Sequence, residues 1–259
     1  MCEIYRQDSV GQFPKRAYIL GIPFYALTME ETLDILEGYL AEPKNHIVIT
    51  PNPEGVMQAR RNPEFAAAIK SADLRLADGT GIVLAAKFTG QKIPGRVRGV
   101  DTTLAFFERL TKKDRDFTVY FLGAKPGVAE KAKANMEARY PSMKVAGYHH
   151  GFFTDDAQII NEINSLSPDI LLVCIGMPRA ELWATKHRDI NARITMCLGG
   201  TLDIMAGEVQ LAPPIMRKWG LEWLYRLVSQ PSRAKRMLDI PRFVLAVIFS
   251  RDRGNKNED

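Results

Sequence analysis

Asp78 has the strongest claim to chemistry in this sequence. It sits in the stretch 74–101, LRLADGTGIVLAAKFTGQKIPGRVRGVD, with Thr50 and Asn52 of the segment TPNPE as its candidate neighbours. Leu74, Arg75, Leu76 and Ala77 alternate in polarity like a short strand, which stops at Asp78-Gly79; the apolar run after Gly81 reads as a helix. A carboxylate on such a strand-to-helix turn has two readings. As an N-cap it accepts a backbone N–H of the next turn. As a general base it takes a proton from a hydroxyl attacking an electrophilic carbon; an ordinary aspartate, with a pKa of about 3.9, is ionised but weakly basic, and burial would raise that value.

Other chemistries find little support. Gly79-Thr80-Gly81 supplies two glycines of a dinucleotide fingerprint, but Leu84 takes the third position and the segment follows the third strand rather than the first. No G-x-x-x-x-G-K-[ST] occurs. His46, His149, His150 and His187 show no metal-ligand spacing. Asp114-Arg115-Asp116 has a D-x-D spacing, but it precedes a strand and so belongs to the opposite edge of a sheet, as a solvated loop. The sequence therefore predicts neither metal nor cofactor. A pyrophosphate bound without metal needs arginines, whose guanidinium is always charged and grips phosphate oxygens in a fork. Arg96, Arg98, Arg226, Arg233 and Arg236 are available.

The elements that must position these groups alternate along the chain. Strands are predicted over 17–22, 46–50, 74–77, 117–122, 144–147, 169–175 and 194–198. Helices are predicted over 28–40, with Thr28 and Glu31 as a capping box, then 54–60, 62–71 behind an Asn62-Pro63 start, the stretch after Gly79, and 101–113, 128–139, 155–165 and 181–191. The order and the near-continuous apolar strands predict an α/β fold: a Rossmann-like, doubly wound, mainly parallel sheet covered on both faces. Thr50, Asp78, Gly123, Gly176 and Gly199 all fall just past the carboxyl end of a strand, the edge where such sheets hold ligands. Glycine there admits a ligand to the backbone, and the following helix N-terminus favours an anion.

After residue 213 the pattern changes. A helix is predicted over 214–225, then Pro231 among the arginines, then a second helix from Asp239 whose run FVLAVIF is apolar all round. Residues 1–213 carry 25 Lys and Arg against 25 Asp and Glu, while residues 214–259 carry 10 against 5. The division is thus a neutral body, 1–213, and a basic C-terminal helical appendage, 214–259, suited to an anionic partner or equally to a solvated tail. The apolar helix is far shorter than the roughly 18 to 20 residues that span a bilayer, but edged by arginines it suits a membrane surface; packing on the body or on another subunit is the other reading. The first residues contain no apolar core of a secretory signal. Cys174 and Cys197 lie in apolar strands, as buried thiols of a reducing cytoplasm do.

Several stretches together resemble the WecG/TagA/CpsF glycosyltransferases: Thr50-Pro51-Asn52, NPEFAAAIKSADLRLADGTGIV, RVRG with Asp101, IGMP with Glu181-Leu182-Trp183, and GLEWLYRL with Pro231, Arg233 and Arg236. They occur in the family's order and spacing from about residue 18 to about residue 236. The resemblance implies a metal-independent, inverting transfer of a sugar from a UDP-sugar to a lipid-diphosphate-linked acceptor. In its best-known branch UDP-N-acetylmannosamine and undecaprenyl-diphosphate-N-acetylglucosamine react in wall teichoic acid synthesis. By position it makes Asp78 the catalytic base. Thr50, Asn52 and Arg96 become pocket residues, and Arg226, Arg233 and Arg236 close over the donor's diphosphate. Gly79, Gly123, Gly176 and Glu181 complete the candidate binding set. The chain departs from the family's G-x-P-x-Q-E-x-W pattern at Ala180, which puts the donor sugar in question; UDP-ManNAcA or UDP-glucose are the alternatives. The expected location is cytoplasmic, peripheral at the inner face of the plasma membrane, with homo-oligomers compatible. The rival from another class is a non-catalytic nucleotide- or nucleic-acid-binding protein using the basic tail.

Overall fold

A computed structural model describes residues 15–210, 212–213, 216, 224–225 and 237–250. Six parallel strands form the sheet: β3 (His46–Ile49), β4 (Leu74–Arg75), β5 (Phe117–Gly123), β6 (Met143–His149), β7 (Ile170–Cys174) and β8 (Ile194–Cys197), in the spatial order β4-β3-β8-β7-β5-β6. Two apolar cores lie on its two faces, because successive side chains of a strand point to opposite sides. Ile47, Ile49, Tyr120, Leu122, Leu171 and Val173 enter one core; Val48, Val119, Phe121, Ile170 and Leu172 enter the other.

The first face is covered by α2 (Pro53–Arg61), α3 (Pro63–Ser71), α4 (Thr80–Phe88), α7 (Ala157–Leu166) and α8 (Arg179–Lys186), and the second by α1 (Met29–Ala41), α5 (Gly99–Lys112), α6 (Val128–Arg139) and the short α9 (Thr201–Met205). This is the doubly wound α/β arrangement that the alternation of elements predicts. Local start signals hold. The Oγ1 of Thr28 accepts from the Glu31 N–H at 3.3 Å while the Glu31 carboxylate accepts from the Thr28 N–H at 2.7 Å. Asn62 caps α3 through the Phe65 N–H at 3.1 Å, with Pro63 opening the helix.

The predicted strand over 17–22 is instead a hairpin outside the main sheet, β1 (Arg16–Ile19) against β2 (Ile22–Tyr25). Leu20 and Gly21 both take positive φ, 51° and 80°, the geometry of a two-residue hairpin turn. Leucine gives no sequence signal for it. The Gln91 side-chain amide serves as a further neighbour for β1, accepting from the Tyr18 N–H at 2.6 Å and donating to the Tyr18 carbonyl at 2.8 Å. Helix α8 begins two residues earlier than the sequence predicts and ends at Lys186.

The last described helix, α10 (Asp239–Phe249), lies on α2 and α4. Arg61 grips Asp239 with two hydrogen bonds of 2.8 and 2.5 Å, and Phe243 and Val247 are buried. Leu245 and Phe249, 55% and 79% exposed, face away, so the run that reads as apolar all round is packed on one side only. Most of the predicted helix over 214–225, together with Arg226, Pro231, Arg233 and Arg236, lies outside the described residues.

Candidate active site

Asp78 stands where β4 gives way to α4, and backbone hydrogen bonds fix that turn to its neighbours. The Leu76 N–H donates to Ile49 at 2.9 Å and the Asp78 N–H to Pro51 at 3.3 Å. These bonds tie the Asp78 turn to the segment carrying Thr50 and Asn52. The cap of α4 is Gly79, at φ 107°, and no side chain caps it. Asp78 therefore precedes the cap position instead of occupying it. The turn is also crowded: a Cβ on Gly81 would come within 2.7 Å of Pro53 Cγ and 3.9 Å of Phe243. Phe243 places the C-terminal helix directly beside the Asp78 turn.

Asn52 caps α2, its Oδ1 accepting from the Gly55 N–H at 2.9 Å. That oxygen serves the fold, which leaves the amide N–H groups as its donors toward a ligand. Arg96 arrives by a different route. The Val97 N–H donates to the Ala77 carbonyl at 3.0 Å, which holds the 92–98 loop along the end of β4 and sets half-buried Arg96 close to Asp78 in the chain path. Arg98 is buried and its Nη1 pairs with Asp101 at 3.1 Å, anchoring the start of α5. Gly99 follows. A Cβ there would lie 2.7 Å from Leu198 and 3.0 Å from the Thr50 Oγ1, so glycine lets α5 close on Thr50. The sequence quotes this glycine within RVRG without revealing that purpose.

The remaining strand-end residues divide. Gly176, at φ 84°, and Gly199 have nothing within 4 Å of a Cβ position among the described residues, so open space lies over the ends of β7 and β8. Gly123 is different. At φ 146°, a Cβ would sit 2.4 Å from the Cys174 carbonyl oxygen, so the contact of β5 with β7 by itself requires glycine here. The strands whose ends carry Thr50, Asp78, Gly176 and Gly199 are consecutive neighbours, β4-β3-β8-β7. The candidate site therefore runs along that half of the carboxyl edge.

Two charged groups stand beside this edge: Arg179, to which the sequence assigns no role, and Glu181, which belongs to the candidate binding set. Arg179 donates to the Gly151 and Phe153 carbonyls at 2.7 and 2.9 Å and stacks over the Phe153 ring, pinning the loop after β6. Glu181, in the first turn of α8, is half-buried with its carboxyl inward; burial pushes that carboxyl up to about 7, and its Oε2 has no hydrogen-bond partner among the described residues. Ala180 beside it is 1% exposed, part of a packed wall. Burial also pushes the Cys174 thiol up to about 12 and raises the Cys197 thiol, as inert cysteines behave. Asp114, Arg115 and Asp116 are exposed just before β5, at the edge opposite Asp78. Among the described residues no helix is long and apolar enough to cross a membrane.

The arrangement offers a carboxylate, a hydroxyl, an amide and an arginine-bearing loop on one open edge, suited to moving a group between hydroxyl-rich substrates. The chain matches the family model described as "Glycosyl transferase WecG/TagA/CpsF family" over residues 17–257. It is 33% identical over 211 residues to the N-acetylglucosaminyldiphosphoundecaprenol N-acetyl-beta-D-mannosaminyltransferase of Bacillus spizizenii, covering 81% of each chain. Proteins of the same name are 31% identical in Bacillus subtilis strain 168, over 89% of this chain and 90% of that one, and in Staphylococcus aureus strain MRSA252, over 88% and 91%.

Proposed function

The chain belongs to the WecG/TagA/CpsF family of glycosyltransferases, and on that premise we propose that it transfers N-acetylmannosamine from UDP-N-acetylmannosamine to undecaprenyl-diphosphate-N-acetylglucosamine, with inversion and without a metal. The names of its relatives support the sugar and the acceptor. The observation that carries the mechanism is the Asp78 turn: it is bonded to Pro51, stands just ahead of the Gly79 cap of α4, and shares its edge with Thr50. Membership of an enzyme family sets aside the non-catalytic nucleotide- or nucleic-acid-binding reading.

In the proposed step an acceptor hydroxyl attacks the anomeric carbon in line. The new C–O bond forms as the bond from that carbon to the diphosphate oxygen breaks, the proton passes to the Asp78 carboxylate, and UDP leaves with the electron pair from the opposite face. Thr50, Asn52, Gly79, Arg96, Glu181 and the strand end at Gly176 are assigned to the surroundings of the sugars. Charge grows on the leaving diphosphate in the transition state, so guanidinium groups aimed at it lower the barrier selectively. Arg226, Arg233 and Arg236 are assigned that task, within an appendage of residues 214–259 on a catalytic body of residues 1–213. Helix α10 lies beside the Asp78 turn through buried Phe243, and its outward apolar side suits contact with the inner face of the plasma membrane, where a lipid-linked acceptor resides.

A second reading keeps the family and changes the donor to UDP-ManNAcA or UDP-glucose, on the strength of Ala180 standing where the resemblance places glutamine. Incubation with a panel of UDP-sugars and a short-chain lipid-diphosphate-N-acetylglucosamine, followed by mass analysis, decides between them. A product heavier by one N-acetylhexosamine, formed in the presence of EDTA, is expected. A product of another mass selects the second reading; no product with any UDP-sugar refutes both.

A further inference from the structure

Arg60 and Arg61 end the same helix, α2, yet the fold engages only one of them. Arg61 grips Asp239 at the start of α10. Arg60 is exposed and makes no hydrogen bond or ion pair among the described residues. It lines an open cleft of about 450 Å³ between the hairpin turn and the end of α10, whose other walls are Leu20, Gly21, Ala246, Phe249 and Ser250. Clefts of roughly 300 to 1,000 Å³ are the ones that hold small ligands.

The walls are apolar where the backbone does not ask for it. Leu20 holds its turn at φ 51°, a geometry that glycine or asparagine adopts at less cost than leucine. Its side chain rests partly on the first core and partly on the cleft. Apolar walls gain by leaving water, and an unpaired guanidinium grips phosphate oxygens, so together they suit an amphiphile with a phosphate head. The residues that follow Ser250 do not supply the apolar part: 251–259, RDRGNKNED, contain no apolar side chain. The cleft also lies along the helix that meets the candidate base. Phe243 stands beside Gly81 at the Asp78 turn, and Ala246 and Phe249 follow it by about 4.5 and 9 Å along α10.

We propose that this cleft binds the lipid-diphosphate part of the acceptor, with Arg60 on a diphosphate oxygen and Leu20, Ala246 and Phe249 around the first isoprene units. This rests on the reading of the acceptor as a polyprenyl-diphosphate-linked sugar. The reaction then handles two diphosphates differently. The donor's departs and gains charge, whereas the acceptor's keeps the same charge in the ground and transition states. Arg60 therefore binds without accelerating the chemical step, and its loss raises the acceptor KM at constant kcat.

The test measures kcat and KM at saturating UDP-N-acetylmannosamine for two acceptors that share N-acetylglucosamine-diphosphate, one carrying a farnesyl chain and the other an ethyl group. The proteins are the wild type, Arg60→Gln, Arg60→Lys and Leu20→Asn, with thermal melts alongside. Arg60→Gln should raise the KM of both acceptors about 10-fold, with kcat and the UDP-sugar KM within about 2-fold and Arg60→Lys restoring part of the loss. Leu20→Asn suits the turn and should raise the KM of the farnesyl acceptor alone, by about 5-fold. Should that variant not fold, Phe249→Ser carries the same comparison. An acceptor KM untouched by Arg60→Gln, or a loss confined to kcat, overturns the role of Arg60. A Leu20→Asn variant that treats both acceptors alike overturns the lipid cleft, and a changed sedimentation coefficient with an unchanged farnesyl KM shows a second copy of the chain there instead. If the wild type transfers sugar to neither acceptor, the acceptor reading itself fails; wild-type transfer with unaltered variants fails only the cleft.

Discussion

Two turns on one edge of the sheet each carry a carboxyl group, and they treat it differently. The β4–α4 turn sets Asp78 half-buried on a segment bonded to Pro51, with the Arg96 loop drawn against the strand end. The β7–α8 turn sends Glu181 inward, where burial raises its proton affinity and leaves an oxygen unpaired. The same functional group thus stands once half-buried just past a strand end and once in an apolar setting. Environment, not residue type, separates a group placed to take a proton from one built to keep it.

The largest effect is expected from Asp78→Asn. Turnover with the lipid-linked acceptor should fall by about 10²- to 10⁴-fold while UDP-sugar binding persists, because general-base catalysis contributes on that scale. Turnover within a few-fold of wild type would erase the contrast between the two turns.

Glu181→Gln sharpens the other side. Between the ordinary carboxyl value of 4.5 and about 7 the native chain holds one proton more than the unfolded chain. Wild-type stability should therefore fall as pH rises through that window and be level above it, by up to about 3 kcal/mol, with the glutamine variant free of this slope. Denaturant melts at pH 4.5, 6 and 8 measure the difference, and parallel curves for the two proteins would show that the carboxyl is not buried in solution.

Arg233→Ala should lower UDP-sugar turnover by about 10- to 100-fold, the worth of one charge-assisted hydrogen bond, without altering the pH slope assigned to Glu181. An unchanged rate would remove the appendage from the chemistry at the Asp78 turn. The smallest effect concerns the outer side of α10: Leu245→Glu should weaken binding to anionic vesicles by about 5-fold and leave turnover of a soluble short-chain acceptor intact. Vesicle binding equal to wild type would mean that this side is not what meets lipid.

Much of the fold is legible because its signals are local. The Thr28–Glu31 box and the Asn62-Pro63 start require only neighbouring residues to meet, and the apolar strands announce burial on both faces. The Asp78 turn is legible for the same reason, as a strand that stops at Asp-Gly ahead of an apolar helix. The hairpin at Leu20-Gly21 is not, since its leucine adopts a conformation that side chains rarely take. Nor is the purpose of Gly123. As a strand-end glycine it reads like Gly176, yet one is held by the Cys174 carbonyl and the other has nothing close to it among the described residues.

The sequence by itself determined the alternation of elements, the strand ends where chemistry gathers and the family's order of motifs, because each depends on residues close in the chain. Only the tertiary structure decided that Gly79 and not Asp78 is the cap residue of α4, that α10 lies beside that turn, and that the Glu181 carboxyl turns inward with one oxygen unpaired among the described residues. Each of those depends on which distant segments come to rest against one another, and so on how the sheet orders its strands β4-β3-β8-β7 rather than on any local pattern.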